Sequence, residues 1–152
     1  MCRYVCHDPN IPYLFPKQTI IMKIFMLKLS FAIEIGAYLA YVGHFNVSQD
    51  PEVKRIAKEE LRHMVYLKWM LAYYKSKPSP ILNCCFLMIG TTIKYLCYIT
   101  PKPMLDYVAC IMEKINVYNY NNMANIFPHF YSTFWKMEES EREHERYFKT
   151  SL

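Results

Sequence analysis

The stretch Glu60-Leu61-Arg62-His63 has a counterpart near the end of the chain, Glu141-Arg142-Glu143-His144. Of the five histidines, only His63 and His144 carry a glutamate three positions earlier. Side chains three apart share one face of a helix, so each Glu-x-x-His aims a carboxylate and an imidazole the same way. Each copy is preceded, at matching spacing, by a lone glutamate: Glu34 before the first and Glu113 before the second. Four helices that bring two such glutamates and two Glu-x-x-His pairs to a common interior point form the ligand set of a di-iron carboxylate bundle. One Glu-x-x-His says little. Two copies with paired glutamates constrain fold and site together.

The chain supplies helices in the right places. Residues 1–18, with Pro9, Pro12 and Pro16, read as an irregular arm, and 19–152 as one domain. A first helix is expected from Thr19 to about Phe45. Asp50-Pro51 then gives an N-cap followed by proline at the first helical position, opening a second helix to about Lys75. Lys77-Pro78-Ser79-Pro80 breaks the chain before an almost wholly apolar helix over 81–99. Thr100-Pro101 repeats the cap-then-proline signal, and a fourth helix should reach Ile126. Phe127-Pro128 ends it, and a fifth runs to about Phe148. No stretch alternates with period two for long enough to argue a strand. With ~1.5 Å of rise per residue, Glu34, Glu60 and His63 fall at one height of an antiparallel hairpin, and Glu113, Glu141 and His144 at a similar height of a second. The expected fold is therefore all-α: a ferritin-like four-helix bundle, with the apolar helix as the crossover between hairpins.

Four carboxylates and two imidazoles are hard and borderline ligands, a set that suits Fe(II), Mn(II) or Zn(II), and their charge balances two divalent ions. Glu34 lies among Phe31, Ala32, Ile33, Ile35 and Ala37, where an unpaired carboxylate would be expensive to bury. Glu141, by contrast, sits in Lys136-Met-Glu-Glu-Ser-Glu-Arg-Glu-His-Glu-Arg146, a run that in isolation reads as a solvated face. Glu59 and Glu60 near Lys58 and Arg62, taken alone, likewise read as surface ion pairs. Tyr38, Tyr41 and Tyr120 fall one or two helical turns from Glu34 and Glu113 and are candidates to line the site. His44 and His129, near helix ends, are assigned surface or capping roles.

Composition narrows the function classes. The formal net charge is +5, and no run of lysine and arginine marks a nucleic-acid surface. Hydrophobic residues make up 53% of the chain, yet its longest apolar stretches are interrupted by charge, which argues against a spanning helix and for a peripheral membrane or cytoplasmic location. No secretory leader pattern is present at the N-terminus. Cys84, Cys85, Cys97 and Cys110 fall in apolar helical stretches and are expected to be small buried hydrophobes, reduced and intracellular. Cys2, Cys6 and His7 could start a metal cluster but lack an evident fourth ligand.

Beyond these patterns, the chain resembles a family. Glu34-Ile-Gly-Ala-Tyr-Leu-Ala-Tyr41-Val-Gly43 is similar to the first-helix pattern Glu-x-Gly-Ala-x-x-x-Tyr-x-Gly of the demethoxyubiquinone hydroxylases. Glu59-Glu60-Leu-Arg-His63, the Lys77-Pro78 break, Glu113 followed by Tyr120-Asn121-Asn122, and Glu141 to His144 extend the likeness over residues 30–148. The resemblance implies a centre of two iron ions held by Glu34, Glu60, His63, Glu113, Glu141 and His144. It also implies O2-dependent hydroxylation of a prenylated quinone, and an apolar surface facing a membrane. A homodimer is compatible with it, and a ferritin-like iron or peroxide oxidase without a quinone is the alternative. The chain departs from the family in three respects. Lys114 and Asn119 stand where a second acid and a histidine are usual. Leu29 to Ala32 replaces an Asp-His-Ala-Gly lead-in. The sequence stops soon after His144.

Overall fold

The computed structural model describes residues 20–152 and is all-helical, with no strand among them. Its elements are α1 (Ile20–Ser48), α2 (Pro51–Tyr73), α3 (Pro80–Leu96), α4 (Lys102–Ile126), a 3-10 turn (Pro128–Phe130) and α5 (Tyr131–Thr150). The arm, with Cys2, Cys6 and His7, lies outside the described residues.

Local chemistry accounts for the boundaries. Asp50 accepts a hydrogen bond from the Glu52 amide (3.0 Å) and caps α2, with Pro51 in the first helical position. Ser79 caps α3 through the Leu82 amide (3.4 Å). The last turn of α1 extends three residues past the expected Phe45, because Gln49 takes the left-handed conformation (φ 55°) that a glycine would normally supply. Its amide bonds to the Phe45 carbonyl at 2.8 Å, and its side chain to the Asn46 carbonyl at 2.8 Å. Lys75 (φ 52°) closes α2 in the same manner. The expected cap at Thr100 is not made. Its hydroxyl donates instead to the Leu96 carbonyl (2.8 Å), closing the end of α3, and α4 starts after Pro101 without a side-chain cap.

Two antiparallel hairpins, α1–α2 and α4–α5, face each other, and α3 returns the chain from one end of the bundle to the other across α1. The core is split. One apolar cluster contains Leu27, Leu67, Met70, Tyr120, Phe127 and Phe134. A second, toward the α1–α2 turn, contains Tyr41, Val53, Ile56, Ala109 and Phe148. Each fully buried Leu, Ile or Phe contributes ~1.5–3 kcal/mol, and together the clusters clamp the polar layer between them.

The crossover is held by close helix contact. A methyl group on Gly90 would stand 2.8 Å from the Cα of Gly36, and one on Gly43 would stand 2.6 Å from the Cα of Lys94. The chain has three glycines, and all three lie at this α1–α3 crossing. Of α3 itself only Gly90 is buried, which also corrects the expectation for two cysteines: Cys84 and Cys85 are exposed on its outer face, while Cys97 is buried. Gly43→Ala should therefore displace α3 and lower stability by about 1–3 kcal/mol, the usual cost of overpacking. Chemical denaturation would read this loss, while metal content, set by the other four helices, should stay unchanged.

Candidate metal centre

All six predicted ligands meet in the layer between the two apolar clusters, and all are buried. They form two groups, each able to hold a metal ion with ligand atoms within 4.8 Å of one another. Glu34, Glu60, His63 and Glu141 make the first; Glu60, Glu113, Glu141 and His144 make the second. Glu60 and Glu141 belong to both. In each group the imidazole enters through Nδ1. Nδ1 of His63 lies 3.0 Å from Glu141, 3.6 Å from Glu60 and 3.9 Å from Glu34. Nδ1 of His144 lies 3.3 Å from Glu141, 3.6 Å from Glu60 and 3.7 Å from Glu113.

The inward atoms have no hydrogen-bond partner: Oε2 of Glu34 and Glu113, both carboxylate oxygens of Glu60 and Glu141, and Nδ1 of both histidines. Buried polar atoms are nearly always paired, and leaving several ligand atoms orphaned at one point would be costly. A set of carboxylate oxygens and imidazole nitrogens converging without partners fits a cationic centre. The other side of each group is secured. Tyr120 donates its hydroxyl to Glu34, and Tyr41 donates to Glu113. Nε2 of His144 lies 2.6 Å from Glu59, which also accepts from Ser140 (3.2 Å) and pairs with Arg55. This is the carboxylate–imidazole arrangement that fixes ring orientation and raises ligand basicity. His63 packs edge-on against Tyr120.

Charge crowding shifts the titration of these groups. Burial, reinforced by Glu60, raises the Glu34 carboxyl well above its ordinary range. Burial and then Glu141 push Glu113 up to about 8. Burial alone would lower both imidazoles, but the carboxylates facing them outweigh it, holding His63 up to about 10 and His144 up to about 12. His144, in turn, holds Glu59 down to about 2.

Of the three tyrosine candidates, Tyr41 and Tyr120 reach the ligands; Tyr38 instead packs, half-buried, against the second apolar cluster. The reading of the 136–146 run as a solvated face fails on its inner side. Glu138 is buried against Arg142 (2.6 Å) and Asn121, while Glu141 and His144 point inward. His44 is likewise buried rather than at the surface, with Nε2 3.1 Å from Asp106. A histidine following Gly43 on the buried side of α1 was the available signal. His129 is exposed, as expected. Glu59 was partly misread: it does pair with Arg55, but it also supports His144. Two departures from the family pattern meet each other, since Asn119 donates to Ser30 across α1 and α4 at 3.4 Å. Lys114 is exposed and brings no charge to the site.

Beside the ligands lies an apolar cavity of about 320 Å³ between α1, α3 and α4. Its lining runs from Ile33 and Met112, the chain neighbours of Glu34 and Glu113, past Tyr41 to His44 and Met104. A smaller polar cleft of about 130 Å³, lined by Glu59, Arg62, His63 and Lys136, opens on the α2–α5 side. Comparison with protein-family models, curated proteins and solved structures finds no match to this chain.

Metal binding must displace the protons held by His63, His144 and Glu113. Titrating Zn(II) into metal-free protein near pH 7, in buffers of different ionisation heat, should show net proton release. For Glu113 the folded pKa, about 8, exceeds the ordinary 4.5. Its stabilising contribution is therefore full below pH 4.5 and is lost as pH rises through 8. The metal-free protein should accordingly lose melting temperature across that window, and the metal-loaded protein should lose less.

Proposed function

We propose that this chain is a di-iron, O2-dependent monooxygenase of the demethoxyubiquinone hydroxylase type, acting on the ring of a prenylated quinone. One observation carries the reading: two Glu/His groups share Glu60 and Glu141, and Tyr41, which donates to Glu113 of the second group, also lines an apolar cavity. Four carboxylates and two imidazoles, with no thiolate, match the ligand preference of Fe(II). Glu34 and His63 would serve one ion, Glu113 and His144 the other, and Glu60 and Glu141 both. When bound, the iron pair supplies the redox chemistry with O2. The overall reaction inserts one oxygen atom into a ring C–H bond. The second oxygen leaves as water, with two protons and two electrons from an external donor.

The chain's own residues do the rest. Ile33, Phe86, Val108 and Met112 line the cavity with apolar side chains against which an apolar ring can pack. Tyr41 and Tyr120 donate their hydroxyls to Glu113 and Glu34 and hold those carboxylates in orientation at the edge of the ligand layer. Among the described residues no helix is long and apolar enough to cross a membrane. The outer faces of α3 and α4 nevertheless expose Ile81, Met88, Tyr95, Met104, Tyr107 and Ile115, beside Lys94 and Lys114. An apolar surface rimmed by cations suits the anionic face of a membrane, where a long-chain quinone resides.

The test is single turnover under ¹⁸O2 with iron-loaded protein, a reductant and a short-chain methoxyquinone. One labelled oxygen in the ring is expected, and Glu60→Ala should abolish it. Iron oxidation without ring labelling would contradict the reading and indicate a ferritin-like iron or peroxide oxidase.

A further inference from the structure

The far end of the apolar cavity carries a polar group that the metal centre does not use. His44 lines that end, is 3% exposed, and stacks on Phe148 with ring centroids 5.7 Å apart. Its Nε2 stands 3.1 Å from Oδ1 of Asp106, turned out of line for a straight hydrogen bond. The other oxygen of Asp106 takes the Lys102 ammonium at 2.6 Å, so the carboxylate is charge-paired and fixed. A nitrogen facing a carboxylate oxygen at this distance must carry the proton, because two lone pairs would repel. Asp106 therefore sets the tautomer: Nε2 is the N–H, which leaves Nδ1 as the acceptor of the ring. Burial lowers the basicity of His44 against the pull of Asp106, so the ring is neutral near pH 7. Apart from Tyr41, His44, Thr100 and Asn116, the cavity wall offers only apolar and thiol side chains.

We propose that His44, held in one tautomer by Asp106, is the polar anchor of the cavity and selects ligands that present a hydroxyl over those that present only an acceptor oxygen. An acceptor nitrogen in an apolar wall is satisfied by an O–H and left unpaired by a carbonyl or an ether, and an unpaired buried group penalises the wrong ligand. On the quinone reading this favours the reduced, hydroquinone form. The inference takes from that reading only that the cavity receives an apolar ring.

Binding of 4-decylphenol and of its methyl ether, 4-decylanisole, to the full chain by calorimetry tests the idea without iron turnover. Wild type should bind the phenol about tenfold more tightly, the scale of one buried hydrogen bond. His44→Phe should remove that preference while leaving affinity for the anisole unchanged. Asp106→Asn keeps the shape but lets its amide donate to Nε2, which moves the ring proton to Nδ1 and should reverse the preference. Thermal melts would establish that each variant folds; should one fail to, the other decides. Equal binding of the two ligands to wild type, no binding of either, or a phenol preference that survives in a folded variant would overturn the proposal. A phenol preference at His44 together with no ring labelling in the oxygen experiment would separate failure of the hydroxylase reading from failure of this one.

Discussion

Four carboxylates and two imidazoles buried at one level of a small bundle set the terms for everything around them. Each removed charge costs several kcal/mol unless it is paired, and the inward oxygens and nitrogens here have no hydrogen-bond partner within the protein. The surrounding structure compensates on the outer side. Tyr41 and Tyr120 hydrogen-bond to Glu113 and Glu34, Glu59 takes the outer nitrogen of His144, and arginines balance Glu59. The apolar clusters above and below exclude water, which strengthens those contacts and makes the unmet inner valences harder to satisfy with anything but cations.

The crossover helix links this layer to the cavity. Because α3 joins the end of α2 to the start of α4, it must traverse the length of α1. Glycines at 36, 43 and 90 let the two backbones approach closely there. The space left between α1, α3 and α4 is the cavity, so the residues that dock the crossover also shape the pocket beside the ligands. The same placement leaves the outer face of α3 uncovered, which explains why so apolar a helix is so exposed.

Much of this was legible in the sequence, for an identifiable reason. A Glu-x-x-His pair reports direction as well as residue type, and equal depths in two hairpins made Glu34, Glu60, His63, Glu113, Glu141 and His144 a three-dimensional statement. Tyr41 and Tyr120 were within reach of the same reasoning. Interactions that cross between hairpins were not legible. Glu59 to His144, Asn119 to Ser30 and His44 to Asp106 each join residues far apart in the chain, and no helical period reports such a partner. Position misled for His44, since a residue near a helix end is usually solvated, but α1 runs on to Ser48 and keeps its ring inside. The cysteines of α3 misled in the opposite sense: an apolar sequence was read as a buried one, whereas the helix lies on the outside.

The most direct test of the account is the metal itself. Protein reconstituted anaerobically with Fe(II) should contain about two irons per chain by elemental analysis, at the ~3.5–4 Å separation typical of two-metal sites by X-ray absorption. A His144→Ala chain should lose most of that iron. Wild type and variant binding none, or one ion each with no metal–metal distance, would contradict the shared roles of Glu60 and Glu141.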